Sequence, residues 1–93
     1  MLIVENLTRS EYIDDMRCDY SYRVIKNKVA FPEIYKAEIQ SYGIEIERRD
    51  IVNGILINIE RDFVKNISPC KSKVCSLAQM LYSNTVSPLH LID

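Results

Sequence analysis

With 93 residues, 47% apolar and 27% charged, the chain has the composition of one globular domain, which excludes a disordered tract, a collagen-like repeat and a two-lobed cofactor enzyme. Twelve Lys and Arg against thirteen Asp and Glu give a net charge of −1 with the signs interleaved, so a one-sided basic surface for phosphates is not expected. The early apolar run Leu2-Ile3-Val4 stops at Glu5, and neither a signal peptide nor a membrane span is read from the sequence.

From Met1 to about Ile13 the chain is rich in β-formers, and from Arg17 to Lys26 Cys18, Tyr20, Tyr22 and Val24 alternate with Asp19, Ser21, Arg23 and Ile25. These stretches predict a hairpin turning at Asp14-Asp15. Asn27 to Glu33 carries polar residues and Phe31-Pro32, which predicts a loop. In the third strand Tyr35, Ala37 and Ile39 are apolar at odd positions, then Tyr42, Ile44 and Ile46 at even ones. Such a slip needs a bulge, so a kink is expected at Ser41-Tyr42-Gly43 with Gly43 at positive φ. Asn53-Gly54 between apolar runs predicts a tight type I′ hairpin, and a fourth strand from Ile55 to about Val64.

Pairing Val52 with Ile55 sets Asp50 opposite Ile57, Arg48 opposite Ile59, Ile46 opposite Arg61 and Ile44 opposite Phe63. One face is then apolar apart from three charges. Glu45, Glu47, Arg49, Asn58, Glu60 and Asp62 form a solvated reverse face, with Glu47 against Glu60. Ser68-Pro69 reads as an N-cap and first helical residue, followed by an amphipathic stripe of Cys70, Val74, Leu77, Ala78 and Leu81 closing near Asn84. The tail, Val86 to Asp93, is too apolar to stay in water and is expected to dock. The expected fold is a single α+β domain over residues 1–93: a four-stranded antiparallel meander, one C-terminal amphipathic helix on its apolar face, and the docked tail.

Chemical motifs are sparse. Cys18, Cys70 and Cys75 are an odd set without CxxC, which favours a reducing cytoplasm over a disulfide frame; with His90 as the one histidine they match no four-ligand zinc spacing. No serine sits in a GxSxG setting, and acidic pairs such as Glu45-Glu47 and Glu60-Asp62 have the two-residue spacing of a solvated strand face. Neither catalytic nor cofactor-binding nor metal-ligating residues are expected.

The blocks Tyr42-Gly43-Ile44-Glu45-Ile46-Glu47-Arg48, Asn66-Ile67-Ser68-Pro69 and Val86-Ser87-Pro88-Leu89-His90-Leu91 resemble those of a family of small uncharacterised proteins from spore-forming Firmicutes, a domain of unknown function. The resemblance spans nearly the whole chain and implies no activity, ligand or partner.

From the residues, the leading expectation is a non-enzymatic cytoplasmic protein-interaction or regulatory module. Its partner would be a protein or a second copy, with no small-molecule ligand and no membrane. Leu89, Leu91 and Ile92 are the candidate interaction residues, because one small core cannot easily absorb every aliphatic side chain. One alternative is a nucleic-acid binder using Arg48, Arg49, Arg61 and Lys65, with tyrosines 20, 22, 35 and 42 as stacking surfaces, although acidic residues interleave with those cations and the tyrosines fall on the core-facing phase. The other is a thiol-based redox sensor at Cys70, beside Lys71 and Lys73 in the first helical turn. Against it, Cys70 lies on the stripe of Val74, Leu77 and Leu81, while Cys75 sits on the flank and is expected to be the more exposed.

Overall fold

A computed structural model describes residues 2–31 and 37–88. Four strands, β1 (Leu2–Ile13), β2 (Met16–Phe31), β3 (Ala37–Val52) and β4 (Ile55–Ser68), precede one helix, α1 (Lys71–Ser83). Each strand pairs antiparallel with the next in chain order. The architecture is thus the α+β meander expected from the sequence. Both tight turns hold residues suited to a left-handed backbone: Asp14 (φ 52°) in the first, Asn53 (φ 52°) and Gly54 (φ 76°) in the second.

Cross-strand partners share a face, so the register assigns every side chain. Cys18, Tyr20, Tyr22 and Val24 from β2 and Ile44 and Ile46 from β3 line the covered face, where Val74 and Ala78 of α1 close the core. Tyr22 is fully buried, and its hydroxyl donates to the Val86 carbonyl at 2.9 Å while its ring meets Tyr82 edge-on. At 1.5 Å per residue α1 is about 20 Å long against about 53 Å for β2, so it covers less than half the sheet's length.

Several local expectations are corrected. Asn27 to Phe31 is strand, because β2 and β3 stay paired from Met16↔Val52 to Phe31↔Ala37; Pro32 and Glu33, like Tyr35, lie outside the described residues. The β2–β3 ladder shows no break at Gly43, and Gly43 is not at positive φ. The irregularity lies in β4, which passes from Val64 to Ser68 while β3 passes from Ile44 to Tyr42. Glycine is needed because a Cβ at residue 43 would run into the carbonyl oxygens of Val64 and Lys65.

A second irregularity corrects the register across Asn53-Gly54. Val52 pairs with Ile55 and Ile51 with Leu56, but Asp50 then pairs with Asn58, leaving Ile57 as an unpaired bulge. Beyond it every β4 residue sits one place from its expected partner, so Arg49 meets Ile59, Arg48 meets Glu60, Glu47 meets Arg61, Ile46 meets Asp62, Glu45 meets Phe63 and Ile44 meets Val64. Asn58, Glu60 and Asp62 therefore lie on the helix side and Arg61 on the reverse face, opposite to the expectation. The bulge replaces the Glu47–Glu60 clash by two pairs of opposite charge. At the end of β4 the strand runs on to Ser68, whose hydroxyl accepts from the Cys70 N–H at 3.1 Å, and the helix is capped by Cys70 rather than Ser68.

The C-terminus of α1 closes in a Schellman motif. The Val86 N–H donates to the Leu81 carbonyl at 3.1 Å and the Thr85 N–H to the Tyr82 carbonyl at 3.2 Å, with Thr85 at φ 49°.

Candidate interaction surface

At the end of the sheet carrying both tight turns, Ile13, Met16, Val52 and Ile55 lie side by side across all four strands on the helix side. The next row, Tyr12, Arg17, Ile51 and Leu56, faces the other way. Tyr12, Ile13, Ile55 and Leu56 are exposed. From there the exposed aliphatic surface continues along the outer strand β4, with Ile55 at 65%, Ile57 at 57% and Ile59 at 42% of full exposure. On β1, the opposite edge, large apolar side chains are exposed at the strand ends (Leu2, Ile3, Tyr12, Ile13), while Val4 and Leu7 pack against the core. Sequence reasoning missed this surface because Ile55-Leu56-Ile57 carries no alternation from which a side could be read.

The reverse face holds a buried carboxylate. Glu47, expected in water, is 2% exposed and bound by three arginines from three strands: Arg61 Nε at 2.5 Å, Arg49 Nε at 2.8 Å and Arg23 Nη2 at 3.4 Å. Burial pushes its carboxyl pKa up, and the hydrogen bonds and charges of Arg61 and Arg23 more than reverse that, holding it below the usual range. Arg23 also grips Glu45 at 2.6 Å. Beside this cluster Thr8, Ser10, Ser21, Arg23, Glu47 and Arg49 line an open concavity of about 530 Å³.

On the helix side a second charged group is set into the sheet. Arg48 pairs with the buried Asp50, 3.0 Å from Nε to Oδ1, and approaches Glu60 at 3.6 Å; Asn58 donates to Asp50 at 3.3 Å and to Glu60 at 3.4 Å. Burial raises the Asp50 carboxyl pKa, but hydrogen bonds from Arg48, the Cys18 thiol and Asn58 leave it lowered. The four cations of the nucleic-acid alternative are thus divided: Arg48 on the helix side, Arg49 and Arg61 on the reverse face, Lys65 exposed in the bulged end of β4. Three of the four are ion-paired. Tyr20, Tyr22 and Tyr42 are buried in the core.

The expected greater exposure of Cys75 is not seen: Cys70 and Cys75 are both half-buried. Cys75 packs against the core, and burial, then the Glu5 carboxylate, push its pKa up; Cys18 is fully buried and raised by burial and Asp50. Cys70, at the helix cap, is not part of the core cluster. Its sulfur lies 3.2 Å from the Ser72 hydroxyl, and that contact together with the Lys73 and Ser72 backbone N–H groups lowers its pKa. The candidate tail residues Leu89, Leu91 and Ile92 lie outside the described residues. Among the described residues no three His, Cys, Asp or Glu side chains are grouped to hold a metal ion, and no helix is long and apolar enough to cross a membrane.

The chain belongs to a family of unknown function, DUF6514, whose pattern matches residues 1–93. No curated protein and no solved structure matches it.

Proposed function

We propose that this member of DUF6514 is a non-enzymatic protein-interaction module of the cytoplasm of spore-forming Firmicutes, and that it binds through the outer strand β4 and the turn end of the sheet. The observation that carries this reading is the series of exposed aliphatic side chains, Ile55, Leu56, Ile57 and Ile59, interrupted only by Asn58, on a strand with one unpaired edge. A long apolar edge draws another chain, which natural proteins prevent by charge, proline, bulges or cover. Between Ile55 and Ile59 this edge has the Ile57 bulge and no charged side chain. Association there needs no catalytic group.

Nucleic-acid binding draws less support, since Arg48, Arg49 and Arg61 are already engaged by carboxylates and lie on two faces. The thiol-sensor alternative is favoured by one observation, the position of Cys70 at the helix cap outside the core cluster.

Native mass spectrometry of the full chain isolated from its own cells tests the reading. The expected spectrum carries polypeptide mass beyond 10.8 kDa, and Leu56→Glu removes it. A bare chain, or extra mass indifferent to Leu56→Glu, overturns the proposal.

A further inference from the structure

We propose that the occupant of the β4 edge is a second copy of this chain, joined antiparallel about a two-fold axis through Ile59 so that two four-stranded sheets become one of eight strands. This rests on the interaction reading above and names its partner. With the axis perpendicular to the sheet each face keeps its side, so residues that meet must already share a face. Asn58, Glu60 and Asp62 lie on the helix side; Ile59, Arg61 and Phe63 lie on the reverse.

Charge then removes three registers. An axis at Glu60 sets that carboxylate against its own copy. An axis at Arg61 does the same to the guanidinium and also opposes Glu60 to Asp62, and an axis at Asp62 opposes two aspartates. Like charges facing each other directly destabilise an antiparallel pair. The axis at Ile59 avoids all three: Ile59 meets Ile59 of the second copy, and on each side the Asn58 amide meets the Glu60 carboxylate of the second copy. That amide and carboxylate already meet within one chain, 3.4 Å from Asn58 Nδ2 to Glu60 Oε1. The bulge extends the match. With Ile57 out of the ladder, Leu56 keeps the reverse face and comes opposite Arg61 of the second copy, whose aliphatic stem can lie along it.

The opposite edge suits this role less well. Beside β1 the end of α1 is tied down, with Arg9 donating to the Tyr82 carbonyl at 2.8 Å and lying over the Tyr82 ring, and Thr85 reaching Glu11. At the turn end the exposed Asp14 and Asp15 would repel an anionic lipid surface, which leaves a polypeptide as the fitting occupant.

Sedimentation equilibrium of the full chain across a range of concentrations tests the proposal. The parent is expected at twice 10.8 kDa at high concentration, Ile59→Lys and Ile59→Glu each at the single mass, and their equimolar mixture again at twice that mass. Circular dichroism checks that each variant keeps its sheet. A parent that stays at single mass, variants that remain doubled, or a mixture that fails to recover each overturn it. The parent reading does not depend on any variant folding. If the parent is a monomer while chain from its own cells carries a foreign polypeptide removed by Leu56→Glu, the second copy is refuted and the interaction reading stands.

Discussion

The Asn27 side chain reaches over β3 to donate from Nδ2 to the Lys65 carbonyl at 3.0 Å, joining β2 to β4 where the strand between them has a glycine. The carbonyls of Val64 and Lys65 lie against Gly43 because no side chain keeps them away, and the buried amide of Asn27 satisfies one of them. Gly43→Ala forces the β4 backbone outward and breaks that bond. A loss of about 2–3 kcal/mol is expected by denaturant titration. Asn27→Ala alone should cost about 1 kcal/mol and add little to Gly43→Ala, since both lose the same contact; full additivity would show the two residues to be independent.

Glu47 and Asp50 set the acid limit of the fold. Both carboxyls are held below their ordinary range in the native state, so their contribution is fully present above the unfolded carboxylate range, about pH 4, and is lost as pH falls from there through the lower native values. Stability should be level from neutrality to about pH 5 and then fall. Glu47→Gln should cost about 2 kcal/mol at pH 7, discounted because Arg49 and Arg61 are half exposed, and should flatten the acid slope. A variant with the parent's slope between pH 5 and 3 would show that Glu47 does not set it.

Thr85 holds a left-handed backbone that a β-branched residue adopts only under strain. Glycine is the usual residue at this position of a Schellman closure. Thr85→Gly should raise stability by about 0.5–1 kcal/mol, the weak 3.5 Å contact with Glu11 being a small loss against relief of the strain. An unchanged or lower melting temperature would place the strain elsewhere.

The thiol order is read by alkylation. Iodoacetamide at neutral pH should modify Cys70 first, Cys75 more slowly, and Cys18 only as fast as the sheet opens, because burial raises the latter two while the cap environment lowers Cys70. Peptide mass mapping over time gives the order, and equal rates for Cys70 and Cys75 would contradict it.

Deleting Ile57 should leave a regular hairpin. Val52–Ile55, Ile51–Leu56 and Asp50–Asn58 would follow without interruption, keeping Arg48–Glu60 and Glu47–Arg61 in place. A change within about 1 kcal/mol is expected. Deleting Ile59 should be far worse, since with the hairpin and the Arg48–Glu60 pair kept it carries Asn58 to the reverse face, away from Asp50, and sets Ile57 against that buried carboxylate. Thermal melts of the two deletions, if alike, would remove the bulge as the origin of the register.

What could be read from the chain was whatever local chemistry marks. Asn53-Gly54 and Asp14-Asp15 mark their turns, the alternation of Cys18 to Val24 marks the buried side of β2, and Val74 and Ala78 mark the seat of α1. The displaced features depend on partners distant in sequence. Nothing within Ile55-Leu56-Ile57 tells which residue leaves the ladder, and that single choice turned Arg61 to the reverse face and Glu60 to the helix side. Glu47 reads as a solvated strand residue until Arg23, 24 positions away in sequence but adjacent in space, is placed beside it by β2. The phase slip beside Gly43 points to a glycine at positive φ, whereas the need for glycine comes from crowding by β4 rather than from its own torsion angles.

The position of α1 after all four strands fixes an order of assembly. Its residues contact every strand, so its seat does not exist until the meander is complete. A nascent chain can zip each hairpin from its own turn, yet Tyr22, Val24, Ile44 and Ile46 remain bare until Lys71 to Ser83 has been synthesised and swings back over them. The helix α1 thus acts as a latch, and translation that stops before Val74 would release a paired sheet with its oily side open to neighbouring chains.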